Sequence, residues 1–82
     1  MELTYELVET TENMPEDNIT YTAYGVRAAC ERDGSKTEKT MKDVVISHEK
    51  ADELLSFLKE NAAPPNLLDT IVYNWLYEQE HV

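Results

Sequence analysis

The residues best suited to chemistry in this chain are few, and their spacing argues against it. His48 and Glu49 open a stretch H-E-K-A-D. A zinc-protease helix needs a second histidine one turn further on, and none stands there. His81 is next to the C-terminus, where a side chain is expected to fray. The single cysteine, Cys30, lies in the apolar run A-A-C-E, which suits a small buried hydrophobe. A nucleophilic thiol would want a histidine and a positive environment. One cysteine allows no intramolecular disulfide and no four-cysteine zinc site.

Two glycines, Gly25 and Gly34, cannot line a phosphate cradle, and no dinucleotide, P-loop or nucleophile-elbow motif is present. Carboxylate pairs such as Asp52 with Glu49 or Glu53 fall on the solvent side of an expected helix. Acid–base work would need burial to split their pKa values. The acidic stretch from Glu12 to Asp17 lacks the glycine and the ligand alternation of a calcium loop. The expectation is therefore a protein that is not an enzyme, with no catalytic residue, no cofactor and no metal ligand.

The elements that position these groups follow from periodicity. Residues 2–9 alternate, with Leu3, Tyr5 and Leu7 on one face and Thr4 and Glu6 on the other, as in a half-buried strand. Residues 10–18 are polar and contain Pro15, which reads as a mobile acidic loop. Residues 19–31 are rich in Ile, Thr, Tyr and Val, and Tyr24, Val26, Ala28 and Cys30 share a face. Gly25 in mid-strand marks a bulge or a close approach. Asp33-Gly34 supplies the positive φ values of a tight hairpin turn. Residues 36–46 return as a third strand with poorer alternation and no evident register.

Ser47 can cap a helix in which Ala51, Leu54, Leu55 and Leu58 form the apolar stripe, with Phe57 on its rim. The helix ends near Asn61, before the A-A-P-P break. A second helix starts at about Pro64 or Pro65 and runs to about Gln79. Leu67, Leu68, Ile71, Val72, Trp75 and Leu76 cover half of it, at about 100° per residue. Trp75 and Leu58 are expected where the helices meet. On the far side, Tyr73 and Tyr77 stand four apart. The 82 residues thus predict one small α+β domain over 1–82: a three-stranded antiparallel meander followed by two helices packed on one face, βββαα.

Charge bounds the partners. Seventeen acids against seven bases leave a net charge of −10 on 82 residues. Residues 1–18 hold six acids and no base, residues 19–46 four acids and five bases, and residues 47–82 seven acids and two bases. Such a chain is repelled by phosphate backbones and anionic lipid, so direct binding of nucleic acid is not expected. The bases of the middle segment, Arg27, Arg32, Lys36, Lys39 and Lys42, are expected to complement the acidic first strand or the helices. Apolar runs are too short to span a membrane, and the acidic N-terminus does not read as a signal peptide. A cytoplasmic setting is the default expectation.

Tyr24-Gly25-Val26, Val45-Ile46-Ser47 and the spaced set Pro64, Leu67, Asp69, Ile71, Val72, Trp75 and Leu76 together carry a resemblance. Over about residues 20–77 the chain resembles an uncharacterised family of short proteins, a domain of unknown function from clostridia-like Firmicutes. Where that family has a serine, a histidine and a Glu-Asp pair, this chain has Ala63, Asn66, Tyr73 and Asn74, so a polar site built from those groups would be lost here. The resemblance implies a fold and no activity.

Two functions fit these readings. One is a protein–protein interaction or regulatory module that binds an unknown protein partner or itself, with Tyr73 and Tyr77 as candidate interface residues, because tyrosine suits a surface apolar on one side and wet on the other. A homodimer that tightens with salt is the expected form of self-association. The other is an acidic nucleic-acid mimic that occupies the basic surface of a DNA- or RNA-binding protein.

Overall fold

Strand β1 (Glu2–Met14) and strand β2 (Ile19–Arg32) pair antiparallel without interruption from Glu2 opposite Glu31 to Met14 opposite Ile19. Strand β3 (Ser35–Val45) pairs with the other edge of β2, giving the sheet order β1-β2-β3. Helix α1 (His48–Glu60) follows. After a 3-10 turn at Pro65–Leu67 comes helix α2 (Leu68–Glu80). This computed structural model describes residues 2–80, so His81 lies outside the described residues. The βββαα arrangement expected from the sequence is the one observed.

Local chemistry accounts for the joints. Asp33 and Gly34 both have positive φ, 50° and 81°, the two-residue turn whose twist matches a hairpin. The Ser47 hydroxyl caps α1 by accepting from the Lys50 amide at 3.3 Å. At the other end the Ala63 amide donates to the Leu58 carbonyl and the Ala62 amide to the Lys59 carbonyl. That is the Schellman pairing, which needs a left-handed residue. Ala62 takes that conformation, at φ 47°, although it is not glycine.

The expected loop at residues 10–18 is a correction. Five of its residues, Thr10 to Met14, continue β1 and pair with Ala23 back to Ile19. Only Pro15 to Asn18 form the connection. Pro15 presets the φ of a turn closed by the Asp17 amide on the Met14 carbonyl at 3.2 Å, and Asn18 takes a left-handed φ of 52°, which asparagine tolerates. The β-branched and aromatic run Ile19-Thr20-Tyr21-Thr22 provides the opposing strand.

The third strand's register is settled by a bulge. Pairing runs regularly from Arg32 opposite Ser35 to Val26 opposite Met41, then jumps to Tyr24 opposite Val45. Lys42, Asp43 and Val44 of β3 thus face Gly25 alone, and Asp43 turns left-handed at φ 54°. A Cβ on Gly25 would collide with the Met41 carbonyl oxygen and lie 2.8 Å from the Lys42 Cα. The bulge and the close approach expected at Gly25 are therefore one feature.

The helices cover one face of the sheet. Val26 and Ala28 of the central strand, Leu54 and Leu58 of α1, Ala63, and Leu68, Val72 and Trp75 of α2 form a single buried cluster. Tyr5, Leu7, Met41, Phe57, Ile71 and Leu76 lie half-buried around it. Trp75 is core, 5% exposed. Leu67 departs from the expected apolar girdle: it sits in the 3-10 turn ahead of α2 and is 48% exposed. No helix among the described residues is long and apolar enough to cross a membrane.

Candidate interaction surface

The outward face of α2 holds the two residues singled out from spacing. With Leu68, Val72 and Trp75 turned into the core, positions 73 and 77 fall on the opposite side, at about 100° per residue. Tyr73 is 62% exposed and Tyr77 63%. The structure therefore brings the pair together on one side of one helix, outside the core. Burial of a phenol ring with its hydroxyl left at the rim is what such a pair offers a partner.

The other groups with chemical potential are dispersed. His48 lies 3.2 Å from Asp52, one turn along α1, and meets the Tyr24 ring edge-on at 5.3 Å. Cys30 is half-buried and paired across the sheet with Leu3 and Thr37. Among the described residues no three His, Cys, Asp or Glu side chains gather as a metal ion would require. A shallow depression is lined by Glu49, Asp52, Glu53, Phe57 and Glu60 of α1 and by Trp75 of α2.

Four of the five bases of the middle segment, Arg27, Arg32, Lys36 and Lys39, form ion pairs within the chain. Arg27 meets Glu6, its neighbour across the sheet. Lys39 reaches Asp69 of α2 at 3.5 Å, and Lys36 pairs with Glu38 at 3.0 Å. The Lys36 ammonium bonds to the Glu38 carboxylate and holds it below the usual carboxylate range, and Arg27 acts in the same sense. Arg27 and Lys39 thus make the expected contacts with the first strand and a helix, whereas Lys36 pairs within its own segment; all are exposed pairs of small energetic weight.

Sequence reasoning missed a polar tie on the core side of the molecule, away from this face. The Tyr5 hydroxyl donates to the Ala63 carbonyl at 2.8 Å, clamping β1 to the junction of the helices. Burial raises the Tyr5 phenol above its ordinary pKa, with Cys30 adding to the rise. Alternation marks Tyr5 as inward-facing, but nothing local marks a partner 58 residues away.

Fold and surface together define a two-layer α+β arrangement with both helices on one face of the sheet and an exposed aromatic pair on α2. The chain belongs to a family of unknown function, DUF6514, which matches it over residues 1–78. No curated protein and no solved structure matches it.

Proposed function

We propose that this chain is a non-enzymatic protein–protein interaction or regulatory module whose contact surface is the outer face of α2. One observation carries the reading: Tyr73 and Tyr77, each more than three-fifths exposed, stand one turn apart opposite the buried face of the same helix. Two rings of this kind supply much of a contact's energy at little entropic cost, and tyrosine is enriched at such centres. The partner is a second protein or a second copy of the chain. The setting is the bacterial cytoplasm of a clostridia-like Firmicute, in keeping with the resemblance of residues 20–77.

Photo-crosslinking tests it. A benzophenone amino acid at position 73 should give a discrete adduct in cells of the source organism, and Tyr77→Ser should suppress it. The same probe at Glu60 on α1 serves as the control. An adduct pattern at position 73 no different from that at position 60 would remove α2 as the contact face.

A second reading, the acidic mimic of a nucleic acid, draws on the carboxylates of α1 around the interhelical depression and on the net charge of −10. It requires a basic partner that is retained at low salt and released at high salt. An adduct at position 73 that survives high salt would favour the aromatic face.

A further inference from the structure

The two edges of the sheet are not alike. The outer edge of β3 is blunted in the ways that stop strand pairing: it bulges after Met41, Asp43 turns left-handed, and the strand carries Lys36, Lys39 and Lys42. β1 has none of these. It runs 13 residues in regular register with β2, without proline, lysine or bulge, and lies at the sheet edge. Its inward side chains, Leu3, Tyr5 and Leu7, are half-buried, whereas Val26 and Ala28 beside them are fully buried. An open groove of about 410 Å³ runs along this edge, lined by Leu3, Thr4, Tyr5, Lys59 and Ala62. A regular strand edge beside a helix is the setting in which proteins add a strand.

The occupant can be read from β1 itself. The four glutamates of β1, at 2, 6, 9 and 12, disfavour most ways of pairing two copies, since like charges directly opposite are destabilising. Directly opposed residues in an antiparallel pair share a face, so keeping both helix layers on one side restricts the registers. Of those left, only the one centred on Tyr5 gives Leu3, Tyr5 and Leu7 each an apolar partner without setting one glutamate against another. It puts Leu3 against Leu7 of the second copy and Tyr5 against Tyr5. Thr4 then faces Glu6, and Glu2 faces Val8. The stretch E-L-T-Y-E-L-V is thus self-complementary about its centre, as a closed two-fold interface demands.

We propose that β1 pairs with β1 of a second copy about a two-fold axis at Tyr5, making a continuous six-stranded sheet with all four helices on one side. This rests on the interaction reading only in taking the partner to be a second copy. It uses a different surface and leaves Tyr73 and Tyr77 outward. The guarded β3 strands become the ends of the sheet, so assembly stops at two.

Sedimentation equilibrium at 0.15 M and 0.5 M salt tests it, with circular dichroism to show that each variant folds. The parent should be a dimer, tighter at the higher salt, which screens two chains of charge −10. Thr4 is exposed, and Thr4→Glu would oppose two glutamate pairs per dimer. It should weaken the dimer roughly two- to thirtyfold, and Thr4→Lys should tighten it. Thr10→Glu adds the same charge outside the paired stretch and should change little. Replacing Tyr73 and Tyr77 with serine should leave the dimer intact. A monomeric parent, or a dimer that Thr10→Glu weakens as much as Thr4→Glu, overturns the proposal. A dimer lost on replacing the two tyrosines but untouched at Thr4 also overturns it, while supporting the α2 face.

Discussion

Tyr5 does two jobs with one side chain. Its ring closes the edge of the core beside Leu7, and its hydroxyl satisfies the Ala63 carbonyl just past the end of α1. Replacing it with phenylalanine keeps the ring and leaves that carbonyl without its donor. The cost should be about 0.5–1.5 kcal/mol, the usual net worth of a neutral hydrogen bond. The pH dependence has a definite sign. The folded phenol titrates above its ordinary value of 10.0, so the folded state holds the proton more tightly than the unfolded chain. Its contribution is complete below the unfolded value and is lost as pH rises through the folded one. Tyr21 shifts in the same direction, through partial desolvation and then the charges of Asp43 and Glu12. Denaturant midpoints measured upward from pH 9 should therefore fall for the parent and fall less for Tyr5→Phe. Equal alkaline slopes would mean that the Tyr5 hydroxyl does not couple folding to the proton.

Among the elements, two joints set alanine and glycine in opposite roles. Ala62 ends α1 in the left-handed region, where a Cβ crowds the following carbonyl. Ala62→Gly removes that strain at the expense of a freer unfolded chain, and a net gain of roughly 0.5–1 kcal/mol is expected. In a domain of this size that is a rise of roughly 2–8 °C in the melting temperature. Gly25→Ala should do the reverse. Its new methyl meets main-chain atoms of Met41 and Lys42 rather than a yielding side-chain tip, so the bulge must move, at a cost of about 1–3 kcal/mol. Thermal melts of the two variants should shift in opposite directions; a gain from Gly25→Ala would place β3 elsewhere.

These joints also mark how far the sequence could be read. Asp33-Gly34, the Ser47 cap, the Pro64 break and the stripe Leu54-Leu58 carry their chemistry in their residue types, and the structure has them where spacing puts them. Tyr73 and Tyr77 were legible as an outward pair for the same reason. The hairpin extension at Thr10–Met14 was not, because the residues before Met14 are polar on both faces and leave no apolar period to detect. Nor was the bulge, which turns on a left-handed Asp43, or the Schellman end, which lacks its usual glycine.

On the scale of the whole molecule, the hairpin explains an elongated shape. The radius of gyration is 14.0 Å and the longest extent 48 Å, against a radius of about 12 Å for a compact chain of this length. β3 leaves the sheet at Val45, opposite Tyr24. Beyond that point β1 and β2 continue as a two-stranded ribbon, mostly exposed from Thr11 to Thr20. Met14 and Ile19 face each other at its tip, 46% and 49% exposed.

A two-stranded ribbon has marginal stability of its own in water, whereas the stretch from Val26 to Cys30 has a strand on each side and, at Val26 and Ala28, helices above. Opening the ribbon exposes little apolar surface, so its free energy should lie well below that of global unfolding. Native-state hydrogen exchange should therefore show a step along β2. The hydrogen-bonded amides of residues 19–22 should exchange by local opening, insensitive to low denaturant, and those of residues 26–30 only through global unfolding. Charge sharpens the step, because β1 carries Glu12 within the ribbon and Glu9 where the ribbon starts, with no basic residue across from either, and added salt should protect the ribbon more than the core. Uniform protection from Ile19 to Arg32 in the isolated chain would refute this picture and would require a surface that covers the ribbon on at least one face.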